Sequence, residues 1–110
     1  MAEGTKRWMR LMVLFDLPVT SLAKKRAYVT FRKFLLKDGY DMLQWSVYAR
    51  ICRDSDGAEK HYKRLAANLP PEGSVRCLQI TEKQFATMKH LVGKPGAQEE
   101  RVTCEQILLI

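Results

Sequence analysis

Apolar positions change their period along the chain, and each change marks a different predicted element. The stretch from Met9 to Asp16, MRLMVLFD, is almost continuously apolar, which predicts a central strand covered on both faces. Apolar residues then recur at helical spacing until Gly39. They predict a helix that Thr20 or Ser21 caps at its start and Gly39 closes at its end.

The following segment, residues 40–52, is rich in aromatic and β-branched residues. It is too long for one flat strand, so we predict two strands that divide near Trp45. Turn and cap residues at 55–57 start a second helix, which ends before the pair Pro70 and Pro71. Residues 74–80, SVRCLQI, alternate as a strand with one wet face does.

A capping box, TEKQ at residues 81–84, predicts a short third helix. Its apolar face consists of Phe85, Met88, Leu91 and Val92. Residues 93–101 have the composition of a flexible linker, and residues 102–110 that of one more strand.

The element order βαββαβ, with an appended helix and strand, favours an α+β, ferredoxin-like fold. In this fold a four-stranded antiparallel sheet carries both helices on one face. We therefore expect a ferredoxin-like domain over residues 1–92. We expect residues 93–110 to form the linker and a C-terminal strand for contact with a second subunit or another partner, because the apolar end QILLI can pair with an exposed sheet edge.

Composition is that of one ordinary globular domain, with 110 residues of which 46% are hydrophobic and 28% charged. The sequence has neither a membrane-length apolar run nor a signal-peptide pattern, so we expect a cytoplasmic protein without a membrane partner. Its three cysteines, Cys52, Cys77 and Cys104, follow no metal-ligand spacing and are interpreted as reduced thiols.

A formal net charge of +7 directs attention to polyanionic partners, above all nucleic acid. Most of this charge lies on the first predicted helix, which carries no acid to balance it. The candidate nucleic-acid-binding residues are Lys24, Lys25, Arg26, Arg32, Lys33 and Lys37. Contact with phosphates, without sequence specificity, is favoured over the alternative of a solvated basic face.

One acid, Asp16, ends the most hydrophobic strand directly before Leu17 and Pro18. It fits either an Asx turn or a functional carboxylate. One carboxylate provides few of the ligands that a hard cation such as magnesium needs. A two-fold dimer would bring two copies of Asp16 toward one axis.

The other chemically distinctive side chains give weaker signals. His61 and His90 lack a cysteine or carboxylate partner at catalytic spacing and are interpreted as surface histidines. Trp45 and Tyr48 could stack on bases, but they fit a core or an interface as well, and no RNP1 pattern surrounds them.

Two stretches, MRLMVLFDLP and KKRAYVTFRKFLLKDGYDMLQWSVYAR, together resemble the CRISPR-associated Cas2 family in its type II form. The resemblance covers roughly residues 9–92 in element order. It implies a ferredoxin-like homodimer, a place with the Cas1 integrase in the spacer-acquisition complex, and a metal-dependent phosphodiesterase activity in some members.

Residue by residue, the resemblance implies that Asp16 is the catalytic carboxylate and the ligand of Mg²⁺ or Mn²⁺. Arg26 and Arg32 match basic positions of the family's first helix. Some members have an acidic pair at the strand end, whereas here Phe15 precedes Asp16.

The predicted function is therefore that of a CRISPR adaptation subunit, a homodimer that binds duplex DNA and bridges integrase dimers. A metal-dependent endonuclease activity on RNA or DNA accompanies it. The alternative is an RNA-binding module or a toxin-type ribonuclease of the same fold.

Overall fold

The computed structural model describes residues 7–93 and contains four strands and three helices in that range. In chain order they are β1 (Met9–Asp16), α1 (Leu22–Lys37), β2 (Asp41–Gln44), β3 (Val47–Cys52), α2 (Ser55–Ala66), β4 (Ser74–Thr81) and α3 (Glu82–Ala86). The predicted strand at 102–110 and the linker before it lie outside the described residues.

The four strands form one antiparallel sheet in the order β2-β3-β1-β4. This order and the βαββαβ succession confirm the predicted α+β, ferredoxin-like fold. β1 is a central strand with a partner on each side, and it pairs with β4 along its whole length from Met9 to Asp16. No helix in the described part of the chain is long and apolar enough to cross a membrane.

The core lies on the face of the sheet that both long helices cover. Odd-numbered β1 residues from Met9 to Phe15 point into it, because side chains alternate between the faces of a strand. Phe15 meets the ring of Phe31 edge to face at 5.2 Å and stacks on Tyr48 at 5.6 Å. α2 contributes Ala58 and Leu65 to the same cluster.

The opposite face of the sheet is covered near the start of β1, where Met12 is buried and Arg10 lies against Phe85, and it is open toward the end of the strand. The prediction that β1 is covered on both faces is therefore wrong only for the end of the strand, at Leu14 and Asp16, within one chain. Leu14 and, on β4, Leu78 have 38% and 51% of their surface exposed. Ile51 on β3 is exposed beside them. Both long helices are on the core side, and a continuously apolar strand therefore does not by itself reveal how much of each face one chain covers.

The predicted limits of α1 are confirmed. Ser21 caps its start by accepting a hydrogen bond from the Lys24 amide at 3.2 Å. At its end Gly39 has φ +94°, and the amides of Gly39 and Tyr40 donate back to the last turn of the helix. This is the glycine-dependent termination in which a left-handed residue lets the chain leave the helix.

The division of residues 40–52 at Trp45 and the capping box of α3 are also confirmed. β2 and β3 are joined by Trp45 and Ser46, and Ser46 has φ +64°. Thr81 and Gln84 bond each other's backbone amides reciprocally.

The predicted length of α3 is wrong, because the helix ends at Ala86 after one turn. Only Phe85 of its predicted apolar face packs against the sheet, on the side away from the core, where the Arg10 guanidinium lies 4.4 Å from the ring centre. Arg10 also pairs with Glu82 across the start of the helix. Met88, Leu91 and Val92 lie beyond the helix and are exposed.

We predict that Gly39→Ala lowers the free energy of unfolding by about 1–2 kcal/mol, the cost of placing a side chain in a left-handed conformation. A Cβ at this position would also lie 2.7 Å from Arg50 Nη1. Chemical denaturation with urea measures the change. Gly57→Ala is the matched control, because an added Cβ there meets only ordinary contacts, and equal losses in both variants would contradict the interpretation.

Candidate functional site

Asp16 is exposed to solvent because side chains alternate between the two faces of β1. Phe15 turns into the core, and the next side chain points to the open face, where Asp16 pairs in register with Ser74 of β4. Gly73 permits the close approach of the two strand ends, since it has φ +100° and a Cβ would lie 2.7 Å from the Asp16 carbonyl oxygen. A larger residue at 73 would push β4 away from Asp16.

Asp16 lines a shallow depression of about 210 Å³ together with Leu14, Ser74 and Arg76. Its carboxylate makes no hydrogen bond or ion pair with any residue in the range 7–93, so the alternative of an Asx turn is not what the structure has. Arg76 was not singled out from the sequence. The register that sets Leu14 opposite Arg76 brings this cation to the open face beside the carboxylate.

One chain offers an incomplete site for a metal ion. Residues 7–93 contain no group of three or more histidine, cysteine, aspartate or glutamate side chains able to hold one. An exposed carboxylate is the ligand type that Mg²⁺ and Mn²⁺ prefer, and these ions keep several waters and bind one or two carboxylates. Asp16 therefore fits one half of such a site.

The basic residues of α1 separate into two groups. Arg26, Lys33 and Lys37 are exposed and follow one flank of the helix for about 16 Å, whereas Lys24 and Lys25 are half-buried near its start. None of these five pairs with an acid among the described residues. We call Arg26, Lys33 and Lys37 the basic flank.

Arg32 departs from the prediction, because its side chain is buried with 5% of its surface exposed. It lies next to Phe31 on the inner side of α1, and in one chain it is not presented to a duplex. A helical wheel places Arg32 on a flank, but the wheel does not show how far the sheet extends under the helix. We therefore leave Arg32 out of the proposed contact surface.

His61 is also less exposed than the sequence suggested. Its Nδ1 lies 3.0 Å from the buried carboxylate of Asp38, which Arg64 also approaches at 2.7 Å. The partner was missed because Asp38 is 23 residues earlier in the chain. The cluster joins the end of α1 to α2, and His90 is exposed as predicted.

Cysteine chemistry gives no competing site among the described residues. Cys52 and Cys77 are free thiols, and burial raises the pKa of each above its ordinary value. A raised pKa leaves less of the nucleophilic thiolate at neutral pH. Cys104 lies outside the described residues.

Tyr48 is buried in the aromatic core, so of the two aromatic candidates only Trp45 is exposed for stacking.

The strand order and the helices on one face define a ferredoxin-like protein with an exposed carboxylate at the end of its central strand. The family model described as CRISPR associated protein Cas2 matches residues 9–88. The chain belongs to the CRISPR-associated Cas2 family, as the resemblance predicted.

Sequence alignments with similar proteins extend over most of this chain. A CRISPR-associated endoribonuclease Cas2 of Acidovorax ebreus is 62% identical over 92% of this chain and 99% of its own. The protein of the same description from Ligilactobacillus salivarius is 41% identical over 93% of this chain and 100% of its own. A crystal structure of Cas2 matches with a TM-score of 0.56 and 21% identity over 87% of this chain and 99% of that one, which shows the fold alone.

Proposed function

We propose that the chain acts as a homodimeric CRISPR adaptation subunit that binds duplex DNA through the basic flank of α1 and bridges dimers of the Cas1 integrase. The observation that carries the DNA-binding part is the basic flank itself. Three exposed cations share one side of a helix without an acid partner in the described chain. The family membership supports a role in a CRISPR system.

The geometry of the basic flank fits the phosphate backbone better than it fits base edges. Its length of about 16 Å compares with several phosphates of a duplex, which carries one charge per about 1.7 Å of axis. Lysine and arginine bind phosphates as cations irrespective of sequence. A subunit that holds DNA of any sequence suits the capture of foreign DNA.

The proposed homodimer is supported by the open part of the sheet. Leu14, Ile51 and Leu78 form an exposed apolar surface there, and burying such a surface against a second copy is favourable. Asp16 lies at the border of this surface. A two-fold axis near the end of β1 would place two Asp16 carboxylates and two Arg76 guanidinium groups around one volume.

The second proposed function is a metal-dependent endonuclease activity on RNA or DNA, since the curated relatives carry the description endoribonuclease. Two Asp16 carboxylates would hold one Mg²⁺ or Mn²⁺ between chains. Such an ion lowers the pKa of a water and neutralises charge on a phosphate. Arg76 would bind the phosphate, and Gly73 and Pro18 would fix the strand end on which Asp16 is held.

We predict that Asp16→Asn lowers metal-dependent cleavage by about 100-fold or more, because it removes one negative charge per chain from the ion and with it several kcal/mol of charge stabilisation. Duplex binding and spacer integration stay largely intact, since asparagine keeps the shape of the side chain. Cleavage of labelled RNA and DNA with Mg²⁺ or with EDTA measures the loss.

The control for this variant is Asp41→Asn, which changes another exposed strand aspartate. Full nuclease activity in Asp16→Asn would reject the metal-site assignment. Loss of integration in a folded Asp16→Asn protein would instead show that the carboxylate is needed for adaptation itself.

A second prediction concerns the salt dependence of duplex binding. Replacing Arg26 or Lys33 by Gln should reduce the slope of log affinity against log salt by about 0.9 for each chain of the dimer that contacts the duplex, because each phosphate contact releases condensed counterions. The change should be similar for unrelated DNA sequences. Fluorescence anisotropy with a labelled duplex measures both quantities.

Lys63→Gln is the matched control, because Lys63 is an exposed lysine on α2, outside the basic flank. An equal reduction of the slope in Lys63→Gln and Lys33→Gln would mean that the basic flank is only a solvated face. Duplex DNA would then bind to a different surface.

A further inference from the structure

A second groove lies at the opposite end of β1 from Asp16, about 23 Å away along the strand. Its volume is about 640 Å³, within the range of small-molecule and cofactor sites. It is formed where β1 begins, β3 ends and α2 starts. The side chains that matter for its chemistry are Trp8, Arg50, Arg53, Asp54, Lys60 and His61.

Two of the cations in this groove are available to a ligand. Arg53 and Lys60 are exposed and pair with no acid among residues 7–93. The Arg50 guanidinium instead donates to the backbone carbonyl of Asp38. His61 is held by the Asp38 carboxylate.

The one acid of the groove is already used within the fold. The Asp54 carboxylate accepts a hydrogen bond of 2.7 Å from the Gly57 amide and caps α2. The positive end of the dipole of this 12-residue helix faces the same groove. The groove therefore favours an anion, and its charge does not depend on the basic flank of α1.

An aromatic platform completes the groove. Trp8 has 50% of its surface exposed although it is large and apolar. Its backbone is held in place, because the Glu82 amide donates to the Trp8 carbonyl at 2.9 Å and β1 begins at the next residue. An exposed indole beside two cations is the combination that binds unpaired nucleotides, with a base stacked on the ring and its phosphate on the cations.

We propose that this groove binds single-stranded nucleic acid, with one base on Trp8 and the neighbouring phosphates on Arg53 and Lys60. A duplex does not fit this role, because its bases are already stacked and paired. The inference extends the proposed nucleic-acid function by a separate site.

The groove also lies near the end of the basic flank. Asp38 follows Lys37, the last residue of α1, and its side chain contacts His61 at the groove wall. A duplex on the basic flank would thus run toward the groove. This arrangement suits a nucleic acid whose paired part lies on α1 and whose unpaired part enters the groove.

The chain's two tryptophans allow a direct test. In Trp45→Phe the fluorescence reports on Trp8, and in Trp8→Phe it reports on Trp45. We expect a short oligothymidylate and the matching oligouridylate to quench Trp8 and to leave Trp45 largely unchanged. In the Trp45→Phe background, Arg53→Gln and Lys60→Gln should each weaken this binding by about tenfold, the effect of losing one charged hydrogen bond.

Lys63→Gln, on the same helix but outside the groove, is the control that should leave the quenching curve unchanged. Absence of Trp8 quenching, or equal weakening by Lys63→Gln and Lys60→Gln, would overturn the proposal. Quenching of Trp45 alone would also overturn it and would place the single strand at the hairpin between β2 and β3.

Duplex binding by Arg26→Gln is measured in parallel by anisotropy, so the proposal for the groove and the proposal for the basic flank can be rejected independently. If single strands quench Trp8 and Arg26→Gln binds duplex with unchanged affinity, the result supports the groove and counts against the basic flank. If Arg26→Gln loses duplex affinity and the Trp45→Phe protein shows no Trp8 quenching, the result counts against the groove alone.

Discussion

The side chains of β1 alternate between the core face and the opposite face of the sheet, and this alternation fixes the position of both the core and the candidate site. Pairing with β3 on one side and β4 on the other leaves the strand no freedom to rotate. Phe15 is held in the core by its aromatic neighbours, and Asp16 must then point to the open face. A shift of one residue would bury the carboxylate and expose the phenyl ring.

The same constraint divides the chemistry of the chain between two faces. Both long helices lie on the core side, so α1 presents its basic flank away from the sheet. The open side keeps apolar residues exposed next to Asp16 and Arg76. A surface that is apolar in the middle and charged at its border is typical of an interface between subunits, which supports the proposed dimer.

Much of the fold could be predicted from local signals. Ser21 and Gly39 limit α1, Trp45 divides a segment too long for one strand, and Thr81 with Gln84 starts α3. These features depend on backbone geometry within a few residues. The first strand and its terminal carboxylate were likewise visible as a change from apolar to acidic sequence.

What could not be predicted depends on contacts between distant parts of the chain. Arg32 is buried in the folded chain, and Asp38 at the end of α1 pairs with His61 of α2. Apolar residues at helical spacing did not reveal that α3 ends at Ala86. Arg76 joins the candidate site only through the register of β1 with β4, and Trp8 and Lys60 line one groove only because three elements come together there.

Two chains that share one metal ion through Asp16, as proposed, bind that ion only as a dimer. The most direct measurement is the stoichiometry of Mn²⁺ binding, followed by electron paramagnetic resonance while sedimentation determines the oligomeric state in the same buffer. We expect one Mn²⁺ for every two chains and loss of binding when the protein is diluted to monomers. Tight binding of one Mn²⁺ to each monomeric chain would contradict it.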